Sequence, residues 1–264
     1  GASAMACVNL FKNSGVPQKN ITMIDRKGVI FRGRENLNQW KSSHAIETKD
    51  RTLDEAINKA DVFLGLSAKG ALTKKMVKKM AKNPIIFACA NPDPEITPEE
   101  IEEVRDDAII ATGRSDYPNQ VNNLIGFPYI FRGALDVRSK TINEEMKVAA
   151  AHAIAKLARE DVPDEVVAAM GGSRPHYGKD YIIPSTFDPR LISIIPAAVA
   201  KAAIETGVAR KKIENFDIYK EQLKQRLDPT VTIMQGINNF IKKNQKKIVF
   251  ADGEDENTLK AAIA

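Results

Sequence analysis

Cysteine is scarce in this chain, with 2 among 264 residues. That shortage excludes a disulfide framework, which needs an even set at close spacing, and a cysteine-built zinc site. Cys7 and Cys89 lie in apolar runs and read as buried thiols of a reducing compartment, the cytoplasm. Histidine is nearly as rare: His44, His152 and His176 are scattered, without metal-ligand spacing. His152 sits in an alanine-rich helical pattern and reads as structural. Aromatic residues make up 6% of the chain, and no basic stripe interleaves with them. A nucleic-acid face is therefore not expected. A dominant charge sign is also missing, because 39 basic residues are interspersed with 34 acidic ones. These charges read as solvated helix faces. No apolar run approaches the roughly 20 residues that span a membrane, and no signal peptide is recognisable. Internal repeats and low-complexity tracts are likewise absent.

What remains is an ordinary globular composition, 43% hydrophobic and 28% charged. The length suits one large or two small domains. Gly1 to Phe11 reads as a helix of small and apolar residues. Ile21 to Ile24 reads as a buried strand ending at Asp25, and Arg26-Lys27-Gly28 as a polar turn. Weak helical character from Asn38 to Ala45 precedes a helix over Leu53 to Lys59. Val62-Phe63-Leu64 is a short strand, and Thr73 caps a helix reaching Met80. Pro84 to Ala90 is a buried strand. Thr97-Pro98-Glu99-Glu100 opens a helix with Thr at N-cap, Pro at N1 and Glu at N3. Ala108 to Thr112 is the next strand. Strands alternating with helices at this spacing imply βαβ units and a parallel sheet. Helices follow over Phe127–Val137, Asn143–Glu160 (Asn143 as cap), Pro189–Thr206, Lys212–Leu227 and Val231–Lys243. A Gly- and Pro-rich loop covers about Gly171 to Pro184. Ile248 to Ala251 reads as a strand, and a helix starts near Glu256.

In an open α/β sheet, ligands bind outside the carboxyl ends of the strands. Four groups of residues fall where that rule points. Gly1-Ala2-Ser3-Ala4 either ends a dinucleotide fingerprint, with small residues letting a pyrophosphate approach a helix N-terminus, or is a plain helix start. Asp25 ends the next strand about 24 residues on, where a carboxylate meets the adenosine ribose. It is otherwise a turn Asp. Arg26 and Lys27 beside it could take a 2′-phosphate, so NAD and NADP both stay open. Gly65-Leu66-Ser67 follows a strand, as a cradle for the nicotinamide ribose or as a simple βα turn. Asn91 ends the Pro84 strand, and Asn122 and Asn123 follow the Gly113-Arg114-Ser115-Asp116 loop. The Asn91 amide can donate and accept at once, which suits a hydroxy acid and a carboxamide, and Asn122 and Asn123 could serve a substrate carboxylate; each asparagine equally suits capping or turn duty.

Five stretches carry a resemblance. They are Asp25–Val29, Asp61–Ser67, Pro84–Pro92 (Cys89 apart), Ala111–Asn123 and Phe131–Asp136, of which the block from Gly113 to Asn123 is very specific. In them the chain resembles the bacterial malic enzymes, specifically the large hybrid type with a phosphotransacetylase-like C-terminal domain. The tail from Ile248 to Asp255 looks like the first βα unit of that domain. The resemblance implies an α/β fold: a Rossmann-type doubly wound parallel sheet lacking its first strand, followed by a helical segment. It implies residues 1–140 as the NAD(P)-binding part, 141–245 as a helical extension and linker, and 246–264 as the start of the truncated next domain.

The implied reaction is oxidative decarboxylation of (S)-malate to pyruvate and CO2 with reduction of NADP (NAD being possible), aided by Mg or Mn in the full-length enzyme. A homo-oligomer is implied too. The family's lysine, tyrosine and metal-binding carboxylates precede the fingerprint, so no catalytic or metal residue is expected in this chain. The carry-over is Gly1, Ala2, Ser3 and Ala4 on the pyrophosphate, and Asp25, Arg26 and Lys27 at the adenosine ribose. Gly65, Leu66 and Ser67 lie near the nicotinamide half, with Asn91 at nicotinamide and malate and Asn123 at malate. The expected consequence is an internal fragment, inactive alone, with exposed strand edges that favour aggregation or swapping. Two rivals stand beside this reading. One is another Rossmann-type oxidoreductase acting on a hydroxy or amino acid. The other is a non-catalytic oligomerisation module built on the long helices.

Overall fold

Short apolar runs bounded by turn residues become strands here, and capped runs become helices. The computed structural model describes residues 1–169 and 172–227, with 241, 249, 254, 258 and 259 after them. Helix α1 spans Ala2–Asn13 and is followed by a 3-10 turn at Gln18–Asn20. Strands β1 (Ile24–Asp25) and β2 (Gly28–Val29) pair antiparallel, Ile24 opposite Val29 and Asp25 opposite Gly28. The expected buried strand over Ile21–Ile24 is therefore corrected to one arm of a small hairpin. Turn chemistry is the reason. The Lys27 N–H donates to the Asp25 carboxylate at 2.9 Å, and Gly28 takes φ +104. A Cβ on Gly28 would also lie 2.1 Å from the Arg51 carbonyl oxygen. The chain reverses at this point rather than running on into the sheet.

Two short helices follow, α2 (Gln39–Ser42) and α3 (Leu53–Ala56). Asn38 caps the first, and Thr52 with Glu55 forms a full capping box on the second. α3 ends earlier than its pattern suggests, and Lys59 then turns at φ 57. The central sheet comes next: β3 (Val62–Gly65), α4 (Lys74–Lys79), β4 (Ile85–Ala88), α5 (Pro98–Glu102) and β5 (Ile109–Thr112). The three strands are parallel in the order β3-β4-β5, with Gly65 beside Ala88 and Ala88 beside Thr112. One face of the sheet packs beneath helices. Accordingly Phe63, Ile86 and Ala88 share one core with Leu72, Val77, Ile96 and Ile101. Thr73 caps α4, and Thr97, Pro98 and Glu100 build the expected start of α5.

Beyond the sheet, a 3-10 turn at Asn123–Ile125 leads into α6 (Phe127–Asp136). It is followed by α7 (Glu144–Leu157, capped by Asn143), α8 (Asp164–Ala169), α9 (Leu191–Glu205) and α10 (Phe216–Lys224). α8 is a helix that the sequence pattern does not announce. α7 buries Met146, Ala150, Ala153 and Leu157, an i, i+4, i+7, i+11 stripe. α9 packs against both α6 and α7 and buries most of its length. Residues Gly1–Lys220 form one compact unit and a second begins at Glu221, where Lys224 pairs with Glu221 at 2.7 Å. The helix expected over Val231–Lys243 and the βα unit expected from Ile248 fall mostly outside the described residues.

The closest approach in the helical layer is at Gly133. A Cβ there would lie 2.5 Å from the Pro196 carbonyl oxygen and 2.9 Å from the Val199 Cβ. Alanine is the better helix former, but here the backbone of α9 occupies the space. Gly133→Ala is expected to destabilise the fold by about 2 kcal/mol through forced separation of α6 and α9. Chemical denaturation of the variant beside the parent checks this; equal or higher stability would show that the helices part without cost.

Candidate functional site

The carboxyl ends of β3, β4 and β5 open on one side of the sheet, and a buried carboxylate organises them. Glu95 is 0% exposed. Its Oε1 accepts the Ser67 backbone N–H at 2.7 Å and the Ser67 hydroxyl at 3.1 Å, and its Oε2 accepts the Ala90 N–H at 3.1 Å. Ser67 belongs to the loop after β3, and Ala90 to the loop after β4. One side chain therefore ties the Gly65-Leu66-Ser67 turn to the segment that carries Asn91. Gly65 makes room for it: a Cβ would lie 2.4 Å from the Glu95 carboxyl carbon. The Cys89 N–H adds a bond to the Gly65 carbonyl at 3.1 Å. Burial pushes the Cys89 thiol up to about 11, and the Glu95 carboxylate and Cys7 add to the shift.

Asn91 stands at the mouth. Its side chain is exposed and makes no hydrogen bond to another described residue. The amide lies against Gly113, where a Cβ would come within 3.1 Å of the Asn91 Oδ1. β4 and β5 therefore present Asn91 and the Gly113 loop together. That loop is braced by its own charges. Arg114 forms a double hydrogen bond with Asp116 at 2.9 and 2.6 Å, and the Tyr117 hydroxyl donates to Glu99 at 2.8 Å. Asn119 is buried and fully engaged. Its Nδ2 donates to the Ile110 and Lys179 carbonyls at 2.9 and 2.8 Å, and its Oδ1 accepts the Ile182 N–H at 2.8 Å. Asn122 caps the 3-10 turn before α6 by accepting the Leu124 N–H, which is the bland role open to it. Asn123 next to it is exposed and has no side-chain partner among the described residues.

The other half of the candidate site rests on α1 and the hairpin. Gly1, Ala2 and Ser3 are exposed at the helix N-terminus, and the first turn holds no acidic residue. Free N–H groups and the positive end of the helix dipole are available there to an anion. Ala4, Met5 and Val8 pack on Met23 and Ile30 of the hairpin region, so the helix start and Asp25 share one small core. Asp25 itself is half-buried and held at both oxygens. Arg34 approaches Oδ1 at 2.7 Å and Lys41 approaches Oδ2 at 2.6 Å. Arg34 also donates to the Gly28 and Val29 carbonyls at 3.1 and 2.9 Å. Arg26 and Lys27 are exposed on the turn. The surroundings of Asp25 are therefore net positive.

The structure brings Gly65, Ser67, Asn91 and Gly113 together at the strand ends, and Gly1–Ala4 beside the Asp25 hairpin. Sequence reasoning missed Glu95, Arg34 and Lys41. Glu95 follows Asn91-Pro92-Asp93-Pro94 and precedes a buried Ile96; a carboxylate wedged between buried residues was its only signal. Arg34 and Lys41 act across nine and sixteen residues, which no local pattern shows. Among the described residues no group of three or more His, Cys, Asp or Glu side chains could hold a metal ion. No helix among them is long and apolar enough to cross a membrane.

Residues 4–168 match the family described as "Malic enzyme, NAD binding domain". The chain is 62% identical to the NADP-dependent malic enzyme of Rhizobium meliloti (strain 1021) over 265 residues, 100% of this chain and 35% of that protein. It is 50% identical to the NAD-dependent malic enzyme of the same organism, over 99% of this chain and 34% of the relative. The chain thus spans about a third of the length of the curated relatives it matches. Among solved structures, the malic enzyme from Pyrococcus horikoshii Ot3 superposes with a TM-score of 0.72 at 32% identity, covering 91% of this chain and 54% of that one.

Asp25 generates a pH expectation. Burial alone would raise its pKa, but the Lys41 and Arg34 hydrogen bonds and the Lys27 N–H outweigh it and hold the carboxyl well below the usual range. A depressed carboxyl stabilises the fold above its unfolded value of about 3.9 and loses that contribution as pH falls toward the folded value. Asp25→Asn is expected to be less stable at pH 7 and to lose less stability than the parent between about pH 4 and pH 2. Thermal melts across that range check it; parallel pH profiles would remove Asp25 from the account of acid stability.

Proposed function

Because the chain belongs to the malic enzymes, through their NAD-binding domain, we propose that it is the cofactor-binding portion of an enzyme that oxidatively decarboxylates (S)-malate to pyruvate and CO2 with reduction of NADP. The observation that carries this is the convergence of Ser67, Asn91 and Gly113 at the strand ends around buried Glu95. The nucleotide, when bound, accepts a hydride.

This chain's residues bind and orient. The N–H groups of α1 at Gly1–Ala4 hold the pyrophosphate. Asp25 faces the adenosine ribose, and the cations Arg34, Lys41, Arg26 and Lys27 around it suit a 2′-phosphate, which favours NADP over NAD. Gly65, Leu66 and Ser67 line the nicotinamide half, Asn91 reaches nicotinamide and malate, and Asn123 reaches malate. The described residues offer no group of three or more His, Cys, Asp or Glu side chains for Mg or Mn. The reading extends to residues 1–140 as the nucleotide-binding part, 141–245 as helical extension and 246–264 as the start of a further domain. It also extends to a homo-oligomer, supported by α6, whose Phe127, Phe131 and Leu135 stand exposed in a row, and to a cytoplasmic location, supported by two free cysteines.

Equilibrium titration tests the reading. NADP is expected to bind about tenfold or more tightly than NAD, and Asn91→Ala to weaken NADP binding about tenfold, the worth of one good hydrogen bond. Failure of both nucleotides to bind would overturn it.

A further inference from the structure

Glu95 is buried completely, and no cation among the described residues lies within ion-pair distance of it. A carboxylate out of water and without a cationic partner is unfavourable unless hydrogen bonds replace hydration. Here three donors converge on it: the Ser67 N–H, the Ser67 hydroxyl and the Ala90 N–H. Resting on the nucleotide-binding reading above, we infer that Glu95 is a positioning residue that makes Ser67 a hydrogen-bond acceptor for the nicotinamide half of the nucleotide.

Donor and acceptor capacity fixes the role of Ser67. An ionised carboxylate only accepts, so the Ser67 hydroxyl must spend its single proton on Glu95. What the exposed Ser67 oxygen then offers to the mouth of the site is lone pairs alone. Its partner must be a donor. On a nicotinamide nucleotide the donors are the carboxamide N–H groups and the ribose hydroxyls, whereas the phosphate oxygens are acceptors that Ser67 cannot serve. The same carboxylate holds the N–H of Ala90, the residue before Asn91. Glu95 thus sets the hydroxyl on one loop and the amide on the next with a single rigid group. The absence of a Cβ at Gly65 lets it sit between them, since any larger residue there would meet its carboxyl carbon at 2.4 Å.

A double-mutant cycle on NADP affinity tests this, in the longest natural polypeptide that carries the segment. Glu95→Gln keeps the shape but replaces one acceptor by an NH2 donor: facing Ser67 it frees the hydroxyl to turn, and facing the Ala90 N–H it sets donor against donor and parts the two loops that fix Ser67. Ser67→Ala removes the acceptor directly. Each single change is expected to weaken NADP about tenfold, and the pair together about 10- to 20-fold, because both remove one interaction. Losses that multiply to about 100-fold, or an unchanged affinity in Glu95→Gln, would overturn the role of Glu95. Absence of binding by the parent protein would instead overturn the nucleotide reading beneath it. If Glu95→Gln does not fold, Glu95→Asp replaces it in the cycle. Its shorter carboxylate is expected to give about a threefold loss, again absent in the Ser67→Ala background.

Discussion

Glu95 sits fully out of water between two loops that no local interaction would otherwise hold in step. A three-stranded parallel sheet aligns strands through its ladder, but the ladder stops at Gly65, Ala88 and Thr112. Ser67, Asn91 and Gly113 all lie past that point. Glu95 carries order beyond the ladder by hydrogen bonding both loops through backbone N–H groups, which have no rotamers to lose. The position of Asn91, its contact with Gly113, and the orientation of Ser67 all depend on that bridge. Two glycines are the steric counterpart: Gly65 admits the Glu95 carboxylate, and Gly113 admits the Asn91 amide.

A second charged group organises the other end of the site by different means. Asp25 keeps cationic company, with Arg34 and Lys41 on its two oxygens. Arg34 also holds the carbonyls of Gly28 and Val29, so the ion pair and the hairpin are one structure. The chain can make so short a hairpin because α1 supplies Ala4, Met5 and Val8 as an apolar platform beneath it. A two-residue strand pair would not persist in water by itself. The helix whose N-terminus is exposed thereby also supports the hairpin that carries Asp25.

Much of the fold was legible because its signals are local. Thr73, Thr97 and Asn143 cap the helices that their sequence positions suggested, and the structure adds Asn38 and Thr52 as caps of two more. The runs from Val62, Pro84 and Ala108 are strands, since branched apolar residues between turn signals suit a pleated, half-buried surface. Ile21–Ile24 had the same composition and became a hairpin arm. What separated it from the others was Gly28 at positive φ beneath the Arg51 carbonyl, a contact made across more than twenty residues. α8 escaped notice because six residues carry too little periodicity.

For the site, residue type and position at a strand end were enough to single out Asn91, Gly65–Ser67 and Asp25. The sequence by itself determined the α/β alternation, the caps and the family resemblance, because these depend on neighbours a few residues apart and on motif spacing. Only the tertiary structure decided that Asn122 caps a turn while Asn123 stays free, that Asn119 is consumed by structure, and that Asp25 is paired with Arg34 and Lys41. It alone revealed Glu95. Hydrogen-bond partners and burial are properties of three-dimensional neighbours, and a side chain with three donors from separate loops has no signature until the chain has closed around it.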